Sequence, residues 1–163
     1  TMAPSQNPKQ QSTENTIQLK IPTHLGYEKI VMATANAVAR KMGLPEKRID
    51  DLNTALAEAI INAMEHGNKM NPQLQVVITF TQTVGKLIIS IRDQGQGFSP
   101  FENKDKPKIE DKLAGVSSPR GWGWFLIENL VDEVQVNSAP EGGTVIRLVI
   151  LAEDSQGKED VYE

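Results

Sequence analysis

The sequence predicts an α/β two-layer sandwich in which one mixed, largely antiparallel sheet is covered by helices on one face. Three observations lead there. The elements read in the order β-α-α-β-β-loop-α-β-β, so helices do not alternate one for one with strands as a doubly wound parallel sheet requires. Two strands are separated only by Thr83-Val84-Gly85, short enough for an antiparallel hairpin. The clearest strands also place their apolar residues at every second position, which gives one oily side to cover.

Each element has its own reason. Thr16 to Ile21 alternates Ile17, Leu19 and Ile21 and reads as a strand closed by Pro22. From about His24 to Met42, Tyr27, Ile30, Val31, Ala35, Val38 and Met42 recur at helical spacing. Gly43-Leu44-Pro45 breaks that pattern, and Pro45 opens a second helix. This helix runs from Glu46 to about Gly67 with Ile49, Leu52, Leu56, Ala59, Ile60 and Ala63 on one face.

Strands follow at Leu74 to Thr81 and at Lys86 to Arg92. Ser99 to Arg120 mixes Pro, Gly and charges without a period, and so long a loop in a compact domain is functional or mobile. A short helix is expected from Gly123 to about Asp132. Strands at Val134 to Ser138 and Thr144 to Leu151 are joined by a Pro-Glu-Gly-Gly turn. The whole reads as one domain over 15–151, with a disordered polar tail at 1–14 and a polar, acidic tail at 152–163.

Composition removes several classes of function. Seventeen basic against twenty-one acidic residues give a net charge of −4, with no basic stripe, so no nucleic-acid partner is expected. No apolar run approaches the roughly 20 residues that span a bilayer, and no secretory signal is visible. Cysteine is absent and histidine occurs only at His24 and His66, which excludes disulfides, thiolate sites and His-rich metal clusters. The expectation is a cytoplasmic protein with no membrane partner.

Four short stretches can carry chemistry. Glu58, Asn62 and His66 are four apart and form one stripe, well away from the apolar face of the second helix. An amide oxygen is a hard ligand suited to Mg2+, and a carboxylate one turn away can take a proton from an attacking hydroxyl. A solvated polar ridge looks the same. Asp93-Gln94-Gly95-Gln96-Gly97-Phe98 follows a strand. Its glycines let backbone approach a flat ligand, and its aspartate can accept from an exocyclic amine such as adenine's. A glycine-rich turn fits equally.

Arg120-Gly121-Trp122-Gly123-Trp124 opens a helix, where free N–H groups and a charge-assisted donor suit phosphate. It is neither a Rossmann fingerprint nor a P-loop, since no βαβ unit follows and the Gly-Lys-Ser/Thr ending is missing. Gly142-Gly143-Thr144 enters the last strand and alone reads as a hairpin turn.

Taken together and in order, EAIINAMEHGN (58–68), DQGQGF (93–98), RGWGWFLIENLVDEV (120–134) and GGT (142–144) resemble the N, G1, G2 and G3 boxes of the GHKL ATPase superfamily. Within it the chain most resembles the bacterial anti-sigma factor serine/threonine kinases, from about Asn15 to Ile150. The resemblance implies a Bergerat-type fold binding ATP and Mg2+. Glu58 would then be the general base, Asn62 the magnesium ligand and Asp93 the acceptor of the adenine amine, with Thr144 in support. Gly95 and Gly97 would flank the base, Gly121 and Gly123 would cradle phosphates, and Ser99 to Arg120 would form a lid. His66, Phe98, Arg120 and Trp122 complete the nucleotide-binding set by position. One departure stands out: Trp124 occupies a place where the family carries a smaller aliphatic or Phe, and Trp122 flanks it.

The function implied is ATP-dependent phosphorylation of Ser or Thr on a STAS-domain anti-sigma factor antagonist, together with sequestration of a sigma factor, in a partner-switching pathway. Glu58 and the lack of a phosphoacceptor helical hairpin upstream separate this from a histidine-kinase catalytic domain. The alternatives are a non-catalytic ATP-binding module that sequesters a partner protein, and a response protein whose partner is not a sigma factor. The family is often a homodimer, although no exposed apolar seam in the sequence demands one.

Overall fold

The structure is a computed structural model and describes residues 14–96 and 119–152, with the backbone alone at 119–122. Its elements are β1 (Asn15–Pro22), α1 (Glu28–Lys41), α2 (Glu46–Asn62), a π-turn (Ala63–Gly67), β2 (Gln75–Thr83), β3 (Lys86–Arg92), α3 (Pro119–Leu130), β4 (Glu133–Ser138) and β5 (Thr144–Leu151). The two tails and most of the expected lid lie outside the described residues.

The five strands form one sheet in the order β1-β2-β3-β5-β4, and all four pairings are antiparallel. The expected mixed sheet is therefore fully antiparallel. The cause is the position of β5. The crossover through α3 makes β3 and β4 run the same way, but β5 lies between them. Ile146 faces Ile91 on one side and Val136 on the other, so no parallel ladder forms.

Register explains how the core is built. Leu19, Ile78, Ile91, Ile146 and Val136 stand opposite one another across all five strands. A second row runs Ile17, Phe80, Ile89, Leu148 and Val134. Onto this face the helices lay Val31, Ala35 and Val38 from α1, Ile49, Leu52, Leu56 and Ile60 from α2, and Ile127 from α3. Each fully buried aliphatic side chain contributes roughly 1.5–3 kcal/mol.

Local signals set the boundaries. α1 starts at Glu28, later than the apolar period suggests, because Gly26 turns the chain at φ 107° and its N–H is held by Glu28 Oε2 at 2.6 Å. The β2–β3 hairpin closes on Val84-Gly85, with Thr83 opposite Lys86 and Gly85 at φ 74°. α3 begins at Pro119, four residues before the expected start, and proline suits a first helical position because it has no N–H to leave unpaired.

The long second helix does not stay α-helical to Gly67. It widens into the π-turn, where Asn68 N–H reaches back five residues to Ala63 O at 2.8 Å. Lys69 and Met70 follow at φ 51° and 54°, a left-handed pair of non-glycine residues. Such distortions gather at functional sites. At the other end of α2, Arg48 pairs with Asp132, whose carboxylate also accepts Leu151 N–H at 2.8 Å. Asn15 stands opposite Gln82 and Leu151 opposite Lys86. β1 therefore starts, and β5 finishes, at the hairpin end of the sheet, away from Asp93.

Candidate functional site

Asp93 follows the last residue of β3 and is 4% exposed. Its Oδ1 accepts two backbone N–H bonds, from Gly95 at 3.0 Å and from Thr144 at 3.1 Å. Its own N–H donates to Thr144 O at 3.1 Å. Oδ2 has no hydrogen-bond partner among the described residues. Burial pushes the carboxyl above its ordinary pKa, opposed by the two backbone donors and the Arg92 charge. One oxygen is thus fixed by the fold, and the other makes no hydrogen bond within the described residues.

Glycines make this packing possible. A Cβ on Gly67 would collide with the Asp93 carboxyl, one on Gly95 with Gly67 O, and one on Gly143 with Asp93 O. Gly142 and Gly143 also take φ 96° and 86°, which L-residues rarely adopt. An exposed Arg92–Glu141 pair at 3.1 Å links the end of β3 to this turn, a contact of small energy. Three of the four stretches therefore meet at one carboxylate.

The fourth joins through α3. A Cβ on Gly123 would stand 2.6 Å from Glu58 Oε2 and 3.7 Å from Asn62 Nδ2. Glu58 and Asn62 lie one turn apart on α2, half-buried, and neither side chain has a hydrogen bond or ion pair among the described residues. The helix that carries them continues into the π-turn, whose last residue, Gly67, touches Asp93. One side of α2 thus connects a carboxylate–amide pair to the buried aspartate.

The histidine kinase-like ATPase domain family matches residues 21–150. The chain belongs to this family. It is 33% identical to the serine-protein kinase RsbW of Staphylococcus aureus over 133 residues, which are 80% of this chain and 84% of that one. The RsbW of strain MW2 is 33% identical over 141 residues, 85% and 87% of the two chains. The solved RsbU and RsbW domains of a Mycobacterium tuberculosis protein superpose with a TM-score of 0.59 at 20% identity, over 84% of this chain and 32% of that longer one. The SiaB–SiaC complex of Pseudomonas aeruginosa matches with a TM-score of 0.58 at 10% identity, over 82% and 88%. These two share the fold.

For a histidine kinase-like ATPase the donor set fits a metal–nucleotide. Among the described residues no three His, Asp or Glu side chains cluster as a metal site. An ion near Asn62 would complete its shell with water and phosphate oxygens, the habit of Mg2+. The missing Cβ of Gly123 lets α3 approach Glu58 and Asn62 closely.

The remaining expected residues are placed as follows. His66 lies within the π-turn and is half-buried, so the four-residue spacing that pairs Glu58 with Asn62 no longer sets it on the same line. Thr144 is 5% exposed and backbone-paired with Asp93. Gly97 and Phe98 lie outside the described residues. Arg120, Gly121 and Trp122 fall in the first turn of α3. Gly123 is its fifth residue, beyond those whose N–H groups a helix leaves unpaired. Its place against Glu58 comes from lacking a side chain, whereas the N–H groups that a helix leaves unpaired end at Gly121. Trp124 packs partly against the core and donates from Nε1 to Glu128 Oε1 at 2.7 Å.

Three residues at the site were given no role from sequence: Gly67, Gly143 and Asn68. All three stood inside the quoted stretches; for Gly67 the available signal was a glycine at the end of a helix, and for Gly143 a glycine pair before a strand. Asn68 is 1% exposed and fully engaged.

Proposed function

We propose that this chain is an ATP-dependent serine/threonine protein kinase and anti-sigma factor. In this reading it phosphorylates a STAS-domain antagonist in a cytoplasmic partner-switching pathway. The observation that carries the site assignment is the continuity of α2. Its Glu58–Asn62 pair meets Gly123, and its π-turn meets Asp93 through Gly67.

Each residue then has a task. Asp93 Oδ2 accepts the adenine amine while Oδ1 stays locked by Gly95 and Thr144. Gly95 lets backbone lie against the base, with His66 near it, and the family resemblance assigns Gly97 and Phe98 to the same task. Arg120 and Gly121 offer backbone donors at the start of α3 to phosphate oxygens, with Trp122 and Gly123 following them. Asn62 holds Mg2+ through its amide oxygen, and that ion, when bound, supplies charge neutralisation for phosphoryl transfer. Glu58 receives the proton of the substrate serine hydroxyl.

The name RsbW on the curated relatives supports both the chemistry and the switch. Unphosphorylated antagonist would displace a bound sigma factor, and phosphorylation would return it. A second copy of the chain is the further partner in this reading.

The test is incubation of the purified protein with γ-labelled ATP, Mg2+ and STAS proteins of the same genome, with Glu58→Gln as control. Label on a serine that vanishes in the variant is the expected result. Tight ATP binding with no label on any partner would establish the non-catalytic module instead. Light scattering of the same preparation reads out the homodimer.

A further inference from the structure

We propose that Asn68 is the positioning residue of the base pocket, holding the backbone at Asp93–Gly95 so that the Asp93 carboxylate can tell adenine from other purines. This inference rests on the assignment of Asp93 to the base.

The Asn68 side chain is 1% exposed and makes three hydrogen bonds to three separate segments. Its Nδ2 donates to Thr23 Oγ1 at 2.8 Å and to Gln75 O at 3.0 Å. Its Oδ1 accepts from Gln94 N–H at 2.8 Å. Gln94 is the residue between Asp93 and Gly95, so this last bond fixes the peptide that aims the carboxylate.

The surroundings make the grip rigid. Thr23, 2% exposed, donates its hydroxyl to Leu74 O at 2.7 Å and its N–H to the same oxygen at 3.2 Å. Gln94 returns a contact, its Oε1 accepting Gln75 N–H at 2.6 Å. Asn68 itself cannot shift, because its N–H is tied to Ala63 O in the π-turn and Met70 N–H to Met64 O, both at 2.8 Å. The knot carries no charge, so its strength depends on geometry and not on ionic strength.

The π-turn now has a reason in the same terms. An α-helix continued through Gly67 would present Asn68 at a different angle, and Gly67 would not lie against the Asp93 carboxyl as it does. Removing the Asn68 side chain takes away the acceptor of the part-buried Gln94 N–H, which frees the peptide between Asp93 and Gly95 to rearrange. The loop that moves is the one that places Asp93 Oδ2.

The experiment measures binding of Mg·ATP and Mg·ITP to the full chain by calorimetry, since inosine replaces the exocyclic amine with a carbonyl. Variants are Asn68→Ala, Asn68→Ser as a milder truncation should alanine fail to fold, Thr23→Val and Asp93→Asn. Asn68→Ala or Asn68→Ser is expected to weaken ATP about tenfold and to shrink the ATP-over-ITP preference at least about fivefold. Thr23→Val is the stability control. It strands Nδ2 but leaves the Gln94 bond, so melting falls while the preference stays within about twofold.

If Asn68 and Thr23 variants lose melting temperature alike and both keep the preference, Asn68 is merely structural and the inference is overturned. If the wild-type protein prefers ATP and Asp93→Asn abolishes that preference while Asn68→Ser retains it, only the inference falls. If the wild type shows no preference for ATP, the base assignment falls and takes the inference with it.

Discussion

The two ends of the proposed nucleotide site, a base end and a phosphate end, are built on opposite plans. At the base end, Asp93 is 4% exposed, two backbone donors saturate one of its oxygens, three glycines press against it, and Asn68 pins the peptide beside it. At the phosphate end, Glu58 and Asn62 are half-buried and unpaired among the described residues, and their main constraint is the missing side chain of Gly123. A flat, neutral base is recognised by hydrogen bonds that tolerate little misplacement, so their geometry must exist before binding. Phosphate and Mg2+ act through charge and bring part of their own coordination shell. The protein can leave its groups there uncommitted.

The sharpest test of this contrast acts on rate alone. Glu58→Gln is expected to lower phosphotransfer about 10² to 10⁴-fold, with ATP affinity within about threefold, as single-turnover kinetics and calorimetry would show. An equal loss in affinity would mean that Glu58 belongs to binding and would erase the distinction. Next in size, Asp93→Ala is expected to weaken ATP on the order of a hundredfold in calorimetry, since it removes an acceptor and leaves Gly95 and Thr144 N–H groups buried without partners.

Gly123→Ala should weaken nucleotide binding and turnover about tenfold by crowding Glu58, while alanine stabilises a helix interior by up to about 1 kcal/mol relative to glycine. A melting temperature that holds or rises while activity falls would place the effect at the phosphate end. The smallest effect is in pH. The folded Asp93 carboxyl titrates above 3.8, so it holds its proton more tightly than in the unfolded chain. Its contribution to stability is therefore present below the unfolded value and is lost as pH rises through the folded one. ATP affinity runs the other way, because protonation removes the acceptor. A titration of ATP affinity downward from neutrality is expected to lose binding at a higher pH than an ordinary aspartate would, and Asp93→Asn should flatten that profile.

Much of this architecture was legible because local pattern and global fold agree. Period two marked the strands, and the Ile49-Leu52-Leu56-Ala59-Ile60 face marked α2. The Thr83-Val84-Gly85 break marked the hairpin. The antiparallel character of the whole sheet was hidden, since it depends on β5 inserting between β3 and β4 and no local pattern encodes which strand lands in the middle. The start of α3 was misplaced because the glycines at 121 and 123 read as a boundary, while Pro119 supplied the real one. At the candidate site, spacing alone left Glu58 and Asn62 looking like a solvated ridge, and the ordered set of four stretches singled them out; the structure brings them beside Gly123. Asn68 did not stand out, because its partners Thr23 and Gln94 lie 45 and 26 residues away. A buried amide that ties distant segments has no periodic signature.

The register of the outer strands has a practical corollary. Leu151 pairs with Lys86 at one extremity of the β3–β5 ladder and Val145 with Arg92 at the other, six steps or about 20 Å apart. Asn15 leaves from the same extremity as Leu151. Cargo fused at both positions, such as a fluorophore pair or a tether to a surface, would hang from the end opposite Asp93 and leave the proposed nucleotide mouth clear.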